Sequence, residues 1–224
     1  MEYQKLNAEI ISKWCREGWQ WGQPITHEEY VQAKEGQWDV LLTPTKFVPK
    51  NWFGPLAGKK ILGLASGGGQ QMPIFAALGA QCTLLDYSQE QCSSDRMVAQ
   101  REGYSIEIIQ ADMTKPLPFP DETFDMIFHP VSNCYVETVE GIFKECYRIL
   151  KQGGIFLGGY DLGINYLFDE DENELKTENQ VAHPLIRSPL TVKKELCYST
   201  PYHSTLCLSC SLRYTPYFSA TAVR

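Results

Sequence analysis

The stretch Lys60-Ile-Leu-Gly-Leu-Ala-Ser-Gly-Gly-Gly-Gln-Gln71 decides the fold. Its apolar run reads as a buried strand, three successive glycines make a turn, and Gln70 opens an amphipathic segment that reads as a helix. Glycines at such a turn let the backbone come within contact distance of a flat ligand, because no Cβ stands in the way. A second apolar run, Cys82-Thr-Leu-Leu, ends on Asp86, 23 residues beyond Gly63. An acid at that spacing is suited to holding a ribose diol, so the pair of elements predicts an adenosine-bearing ligand.

Working outward, strands and helices alternate. The pattern predicts strand 60–65 and helix 68–78, then strand 81–86 and a helix capped by Ser88 and stopped by Gly103. Strands over 105–110 and 124–129, a helix over 138–150 and a strand over 155–160 follow. Pro216 to Val223 reads as a last strand, antiparallel to the rest. This is an α/β, Rossmann-like doubly wound sheet, mostly parallel, with helices on both faces. Upstream, Leu6, Ile10, Ile11, Trp14 and Cys15 make a helical stripe, and Thr26 with Glu29 forms a capping box for a helix running to Lys34. All five tryptophans lie within residues 1–52, which divides the chain into a helical Trp-rich cap (1–52) and the Rossmann-like domain (53–224).

The formal net charge is −7, with residues 1–178 at −11 and residues 179–224 at +4. That balance argues against general affinity for nucleic acid, which needs clustered Lys and Arg, although the basic tail keeps RNA as an alternative. No apolar run reaches the ~20 residues of a membrane span. The polar start, Met-Glu-Tyr-Gln-Lys, lacks a secretory signal, so the expected location is cytoplasmic with reduced thiols. Cys15, Cys82, Cys92, Cys134 and Cys146 read as small apolar fillers. In the tail, Cys197, His203, Cys207 and Cys210 contain one C-x-x-C pair but no recognisable zinc module, and no metal is assigned.

Four ordered motifs carry a resemblance over residues 50–161: Gly63-Leu-Ala-Ser-Gly-Gly-Gly, the acid in Leu-Leu-Asp86-Tyr-Ser, Gln110-Ala-Asp-Met, and Leu117-Pro-Phe-Pro-Asp-Glu-Thr-Phe-Asp-Met-Ile with Leu150-Lys-Gln-Gly-Gly downstream. The chain resembles the class I S-adenosylmethionine-dependent methyltransferases of the small-molecule type, in an uncharacterised bacterial branch. The resemblance implies S-adenosyl-L-methionine as cofactor and a small-molecule acceptor. It implies cofactor contacts from Ala65, Ser66, Gly67 and Gly69, with a helix start near Gly69 offering free N–H groups. Asp86 would accept the ribose hydroxyls beside Tyr87 and Ser88, and Asp112 and the Met113 N–H would meet the adenine. Asp112 also reads as a simple turn aspartate. The family usually has an acid where Gly63 stands and a glycine where Ala65 stands, so another group must meet the donor's ammonium.

The segment His129-Pro-Val-Ser-Asn-Cys-Tyr-Val-Glu137 follows the fourth strand and should border the transfer site. His129 and Tyr135 are the catalytic candidates, Asn133, Tyr135 and Trp21 the substrate candidates, and His129 and Val131 are further candidates for cofactor contact. Alternatively the loop lines the cofactor through its backbone and Val131, with His129 merely hydrogen-bonded. Trp14 reads as core; Trp19, Trp21 and Trp38 either wall the cleft or pack the cap. Two further readings share the glycine turn: a nicotinamide-dependent oxidoreductase, against which Asp112-Met113 speaks, and a non-catalytic S-adenosylmethionine-binding protein. No oligomeric state follows from the sequence.

Overall fold

A computed structural model describes residues 3–44 and 46–160 and the backbone of 161 and 218–223. The chain opens with helix α1 (Tyr3–Arg16), a 3-10 turn at Gln20–Gly22 and helix α2 (His27–Lys34). The Thr26–Glu29 capping box forms as expected: the Thr26 side chain accepts from the Glu29 N–H, and the Glu29 carboxylate accepts from the Thr26 N–H. The Pro-containing stretch that follows holds a short antiparallel hairpin, β1 (Leu41–Thr43) and β2 (Lys46–Phe47), which periodicity did not reveal.

The main sheet comprises β3 (Lys60–Leu64), β4 (Gln81–Asp86), β5 (Ile106–Gln110), β6 (Phe124–His129), β7 (Leu150–Asp161) and β8 (Phe218–Val223). Helices α3 (Gln71–Ala77), α4 (Gln89–Glu102) and α5 (Glu140–Ile149) connect them. The spatial order is β5-β4-β3-β6-β7-β8. The first five of these are parallel, and β8 closes the edge antiparallel to β7, from Asp161↔Phe218 to Phe156↔Val223. The order reverses between β3 and β6, which opens a crevice at their carboxyl ends.

Because side chains alternate along a strand, each strand feeds two cores. Ile61, Leu84, Met126 and Phe128 face one side with Met72 and Phe75 of α3 and with Val40, Leu42, Val48 and Phe53 of the N-terminal segment. Leu62, Leu64, Leu85 and Ile127 face the other with Ile142, Cys146 and Ile149 of α5. Phe124 breaks the alternation and joins the second core, because the β6–β7 register shifts between Phe124 and Met126.

Two boundaries differ from expectation by three residues or more. Helix α3 begins at Gln71 rather than 68, since Gly68 and Gly69 take φ of 114° and 70°, outside helical geometry. Strand β7 starts at Leu150 and carries Gly153 at φ 72° within it, so the Gly-Gly pair is a kink inside the ladder rather than a preceding loop. Cys82, Cys92 and Cys146 are buried fillers as read, whereas Cys134 is exposed. Residues 197–210, with their candidate zinc ligands, lie outside the described residues. No helix among the described residues is long and apolar enough to cross a membrane.

Candidate functional site

The carboxyl ends of β3, β4, β5 and β6 open onto a cavity of about 500 Å³. Ala65, Ser66 and Gly67 line it after β3, Asp86, Tyr87 and Ser88 at β4, Asp112 and Met113 after β5, and Val131 after β6. The same cavity is lined by residues of α1, by Trp19 and Trp21, and by residues 41–44 of the β1–β2 hairpin.

The turn after β3 is built by backbone constraint. Ala65 holds φ 49°, a left-handed value that costs a non-glycine residue on the order of 1 kcal/mol, which accounts for a glycine being usual there. Its N–H donates to the Leu85 carbonyl at 2.7 Å, and its own carbonyl accepts from the Ser132 hydroxyl. A Cβ on Gly67 would stand 2.6 Å from the Gln91 Cβ and 3.0 Å from an Asp86 oxygen, so only glycine fits. A side chain on Gly63 would meet the Met72 sulfur at 2.8 Å. Met72 thus fills the space that an acid at that position would need.

The free N–H groups expected near Gly69 are not free. Gly68 and Gly69 donate to the same oxygen of Asp95, at 3.0 and 2.9 Å, and Gly69 packs against Pro24 and Val98 rather than lining the cavity. Positive φ at both glycines turns these groups toward α4.

Asp86 is buried, and each of its oxygens accepts one backbone N–H: Oδ2 from Gly67 and Oδ1 from Ser88, both at 2.9 Å. Burial pushes its carboxyl above the usual range, opposed chiefly by the Ser88 and Gly67 N–H groups. A carboxylate offers about four lone-pair sites, so each oxygen keeps capacity for one more donor. Asp112 makes a local turn, its Oδ1 accepting from the Thr114 N–H at 2.8 Å, and still lines the cavity. Both readings of Asp112 therefore describe the same residue. The Ser88 hydroxyl serves the scaffold: it accepts from the Gln91 N–H at 3.3 Å and pairs with the Ser12 hydroxyl of α1 at 2.9 Å. That pairing, with the Arg16–Glu90 ion pair, fastens α1 beside the acid-bearing strand end.

The loop after β6 divides. Val131 and Tyr135 line the cavity, as does Trp21. His129 does not. It is 0% exposed, its Nδ1 donates to the Leu64 carbonyl at 2.8 Å, and burial pulls its pKa down to about 4. It is a weak base held behind the wall, which corrects its candidacy as catalyst and as cofactor contact. Asn133 also turns inward, donating to the Gly159 carbonyl at 2.6 Å and so pinning the loop to β7. Trp14 departs from the expected core position: it is 39% exposed, lines the cavity and sits 5.5 Å from the Trp19 ring.

Asp95 and Ser12 went unmarked in the sequence, whereas Gln91 was marked only as the capping partner of Ser88. One signal was present: Asp95 falls three residues after Cys92 and three before Val98, an acid on the apolar stripe of α4.

The profile of a family described as "Methyltransferase domain" matches residues 62–158. The chain is 42% identical over 180 residues to the uncharacterized methyltransferase YbaJ of Bacillus subtilis, covering 79% of this chain and 71% of that protein. It is 33% identical over 125 residues to the sterol 24-C-methyltransferase ERG6B of Gibberella zeae, covering 54% of this chain but only 32% of that protein. A solved structure of an S-adenosylmethionine dependent methyltransferase from Mesorhizobium loti is 25% identical, with TM-score 0.46, over 53% of this chain and 54% of that chain. The motifs at the strand ends and the match across most of the Bacillus protein lead to one conclusion: the chain belongs to the class I S-adenosylmethionine-dependent methyltransferases, a family of enzymes.

Proposed function

We propose that the cavity binds S-adenosyl-L-methionine and that this enzyme methylates a small-molecule acceptor beneath the tryptophan-bearing segment 1–52. One observation carries the reading: Gly67, Asp86 and Asp112, from three different strand ends, meet on the wall of a single cavity. The residues present fit such a donor. Gly67 leaves a cradle that a Cβ would fill, and both Asp86 oxygens retain acceptor capacity for a diol. Among the described residues lining the cavity, Asp86 and Asp112 are the charged groups, with no Lys or Arg beside them. That balance supports a ligand bearing positive charge and disfavours an anionic acceptor.

Asp86 would hold the ribose, with Tyr87 and Ser88 flanking it; Asp112 and the Met113 N–H would meet the adenine. Ala65, Ser66 and Gly67 would run along the methionine moiety, and Val131 would supply apolar contact. A sulfonium donor brings an activated methyl group and a neutral leaving group, so the protein need not protonate anything that departs. This chain's residues then have two tasks, aligning the acceptor and excluding water. Trp21 and Tyr135 would serve the first and α1 with Trp14 and Trp19 the second, a reading supported by their lining the same cavity. Tyr135 is the proton-accepting candidate that remains at the cavity for an acceptor needing one.

Calorimetric titration with S-adenosylhomocysteine tests this. The wild type should bind, and Asp86→Ala, which removes two charge-assisted acceptors, should weaken binding at least about tenfold. No heat from the wild type at millimolar ligand would refute the proposal.

A further inference from the structure

Four buried polar atoms lack a hydrogen-bond partner among the described residues: Gln91 Oε1, Asp95 Oδ1, the Tyr104 hydroxyl and His129 Nε2. Of these side chains, Asp95 bonds directly to the glycine turn; the Gln91 backbone carbonyl also accepts the Gly68 N–H, at 3.2 Å. Asp95 is 0% exposed, it takes part in none of the ion pairs among the described residues, and its other oxygen accepts the N–H groups of both Gly68 and Gly69. A buried carboxylate is costly unless its charge is met, and here two backbone N–H groups meet it in place of a cation.

The geometry around the turn explains what this arrangement does. The N–H groups of two successive turn residues converge on one carboxylate oxygen, at 3.0 and 2.9 Å, and a turn that directs successive N–H groups to one point is an anion-binding concavity. Here the anion is the protein's own side chain, reaching in from α4. On the far side, the Gly69 carbonyl accepts from the Ile25 N–H at 2.9 Å, and Gln70 Nε2 donates to the Gln20 and Gln23 carbonyls at 2.9 and 2.8 Å. The turn is therefore gripped from α4 on one side and from the N-terminal segment on the other.

We propose that Asp95 is a positioning residue of the donor site, its carboxylate holding Gly68 and Gly69 so that Ala65–Gly67 present the conformation the donor meets. It touches no ligand and acts through the backbone. The consequence for binding rests on the donor reading above; the geometry does not. Burial, followed by the Coulombic effect of Asp86, pushes the Asp95 carboxyl up to about 7, against the Gly69 and Gly68 N–H groups. The other titratable groups that face it are Cys82 of β4, Cys92 of α4 and Tyr104 just past α4. The strength of the grip on the turn thus varies with pH across the neutral range.

The test uses full-length wild type and Asp95→Asn, which keeps the volume and one neutral acceptor while removing the charge. Without ligand, amide exchange at Gly68 and Gly69 should be at least about tenfold faster in the variant, and S-adenosylhomocysteine affinity at about pH 8 at least about tenfold lower. Wild-type affinity should weaken as pH falls from about 8 to about 6, and Asp95→Asn should lose that dependence. A second readout needs no substitution: the Gly68 and Gly69 amide resonances of the wild type should titrate together over that window. Unchanged exchange in a folded variant, or pH-independent glycine resonances in the wild type, would overturn the assignment. If the wild type binds no S-adenosylhomocysteine, the donor reading fails, while the exchange and resonance data still judge Asp95.

Discussion

Burying Asp95 should make the protein less stable as pH rises through neutrality. The usual Asp value of 3.8 applies to the unfolded chain, and the folded value stands at about 7. Between the two, the native state holds a proton that the unfolded state has released, so stability falls with rising pH. The contribution is fully present below the unfolded value and is lost once pH passes the folded one. From about pH 5 to about pH 8 the loss spans about two pKa units, or about 3 kcal/mol at 1.36 kcal/mol per unit. His129 acts oppositely. Its folded value of about 4 lies below the 6.5 of the free side chain, so its contribution is lost as pH falls from neutrality toward 4. A wild-type profile alone would mix the two. Urea midpoints for wild type and Asp95→Asn at both pH values separate them, because the His129 contribution cancels in the difference. The variant should lose about 3 kcal/mol of pH dependence relative to the wild type. Parallel profiles would refute the reasoning, since they would mean that Asp95 is either ionised throughout or not buried.

Two further outcomes follow from packing. Gly67→Ala forces a Cβ to 2.6 Å from the Gln91 Cβ, on the helix rather than at a flexible tip, and should cost about 1–3 kcal/mol in urea denaturation and abolish measurable S-adenosylhomocysteine binding. Phe128→Ala removes a fully buried ring lying 5.2 Å from Phe75 and 6.4 Å from Phe53, and should cost about 3–5 kcal/mol by the same assay, with ligand binding retained in the folded fraction.

Local rules made much of the fold legible. Strand alternation, the capping box at Thr26–Glu29, the Ser88 cap and the left-handed Gly103 stop each depend on residues within a turn of one another, and each forms as the pattern predicts. The placement of Asp86 at the end of β4 and Asp112 just beyond β5 follows from the same regularity, because parallel strands of similar length bring their carboxyl ends level. Side-chain direction after β6 was not legible. A histidine, an asparagine and a tyrosine within seven residues look alike as polar candidates, yet His129 and Asn133 turn to the Leu64 and Gly159 carbonyls while Tyr135 reaches the cavity.

The amino-acid order alone determined the doubly wound sheet, its glycine turn and the two acids, since periodicity and spacing act over short stretches of chain. Tertiary structure decided what each of those groups meets. Met72 filling the space beside Gly63, Asp95 holding glycines 26 and 27 positions away, and Ser12 pairing with Ser88 across 76 are all contacts between distant parts of the chain. Such contacts exist only after the sheet has brought α1, α3 and α4 together around one crevice, and no local pattern encodes which polar atom will lie opposite which.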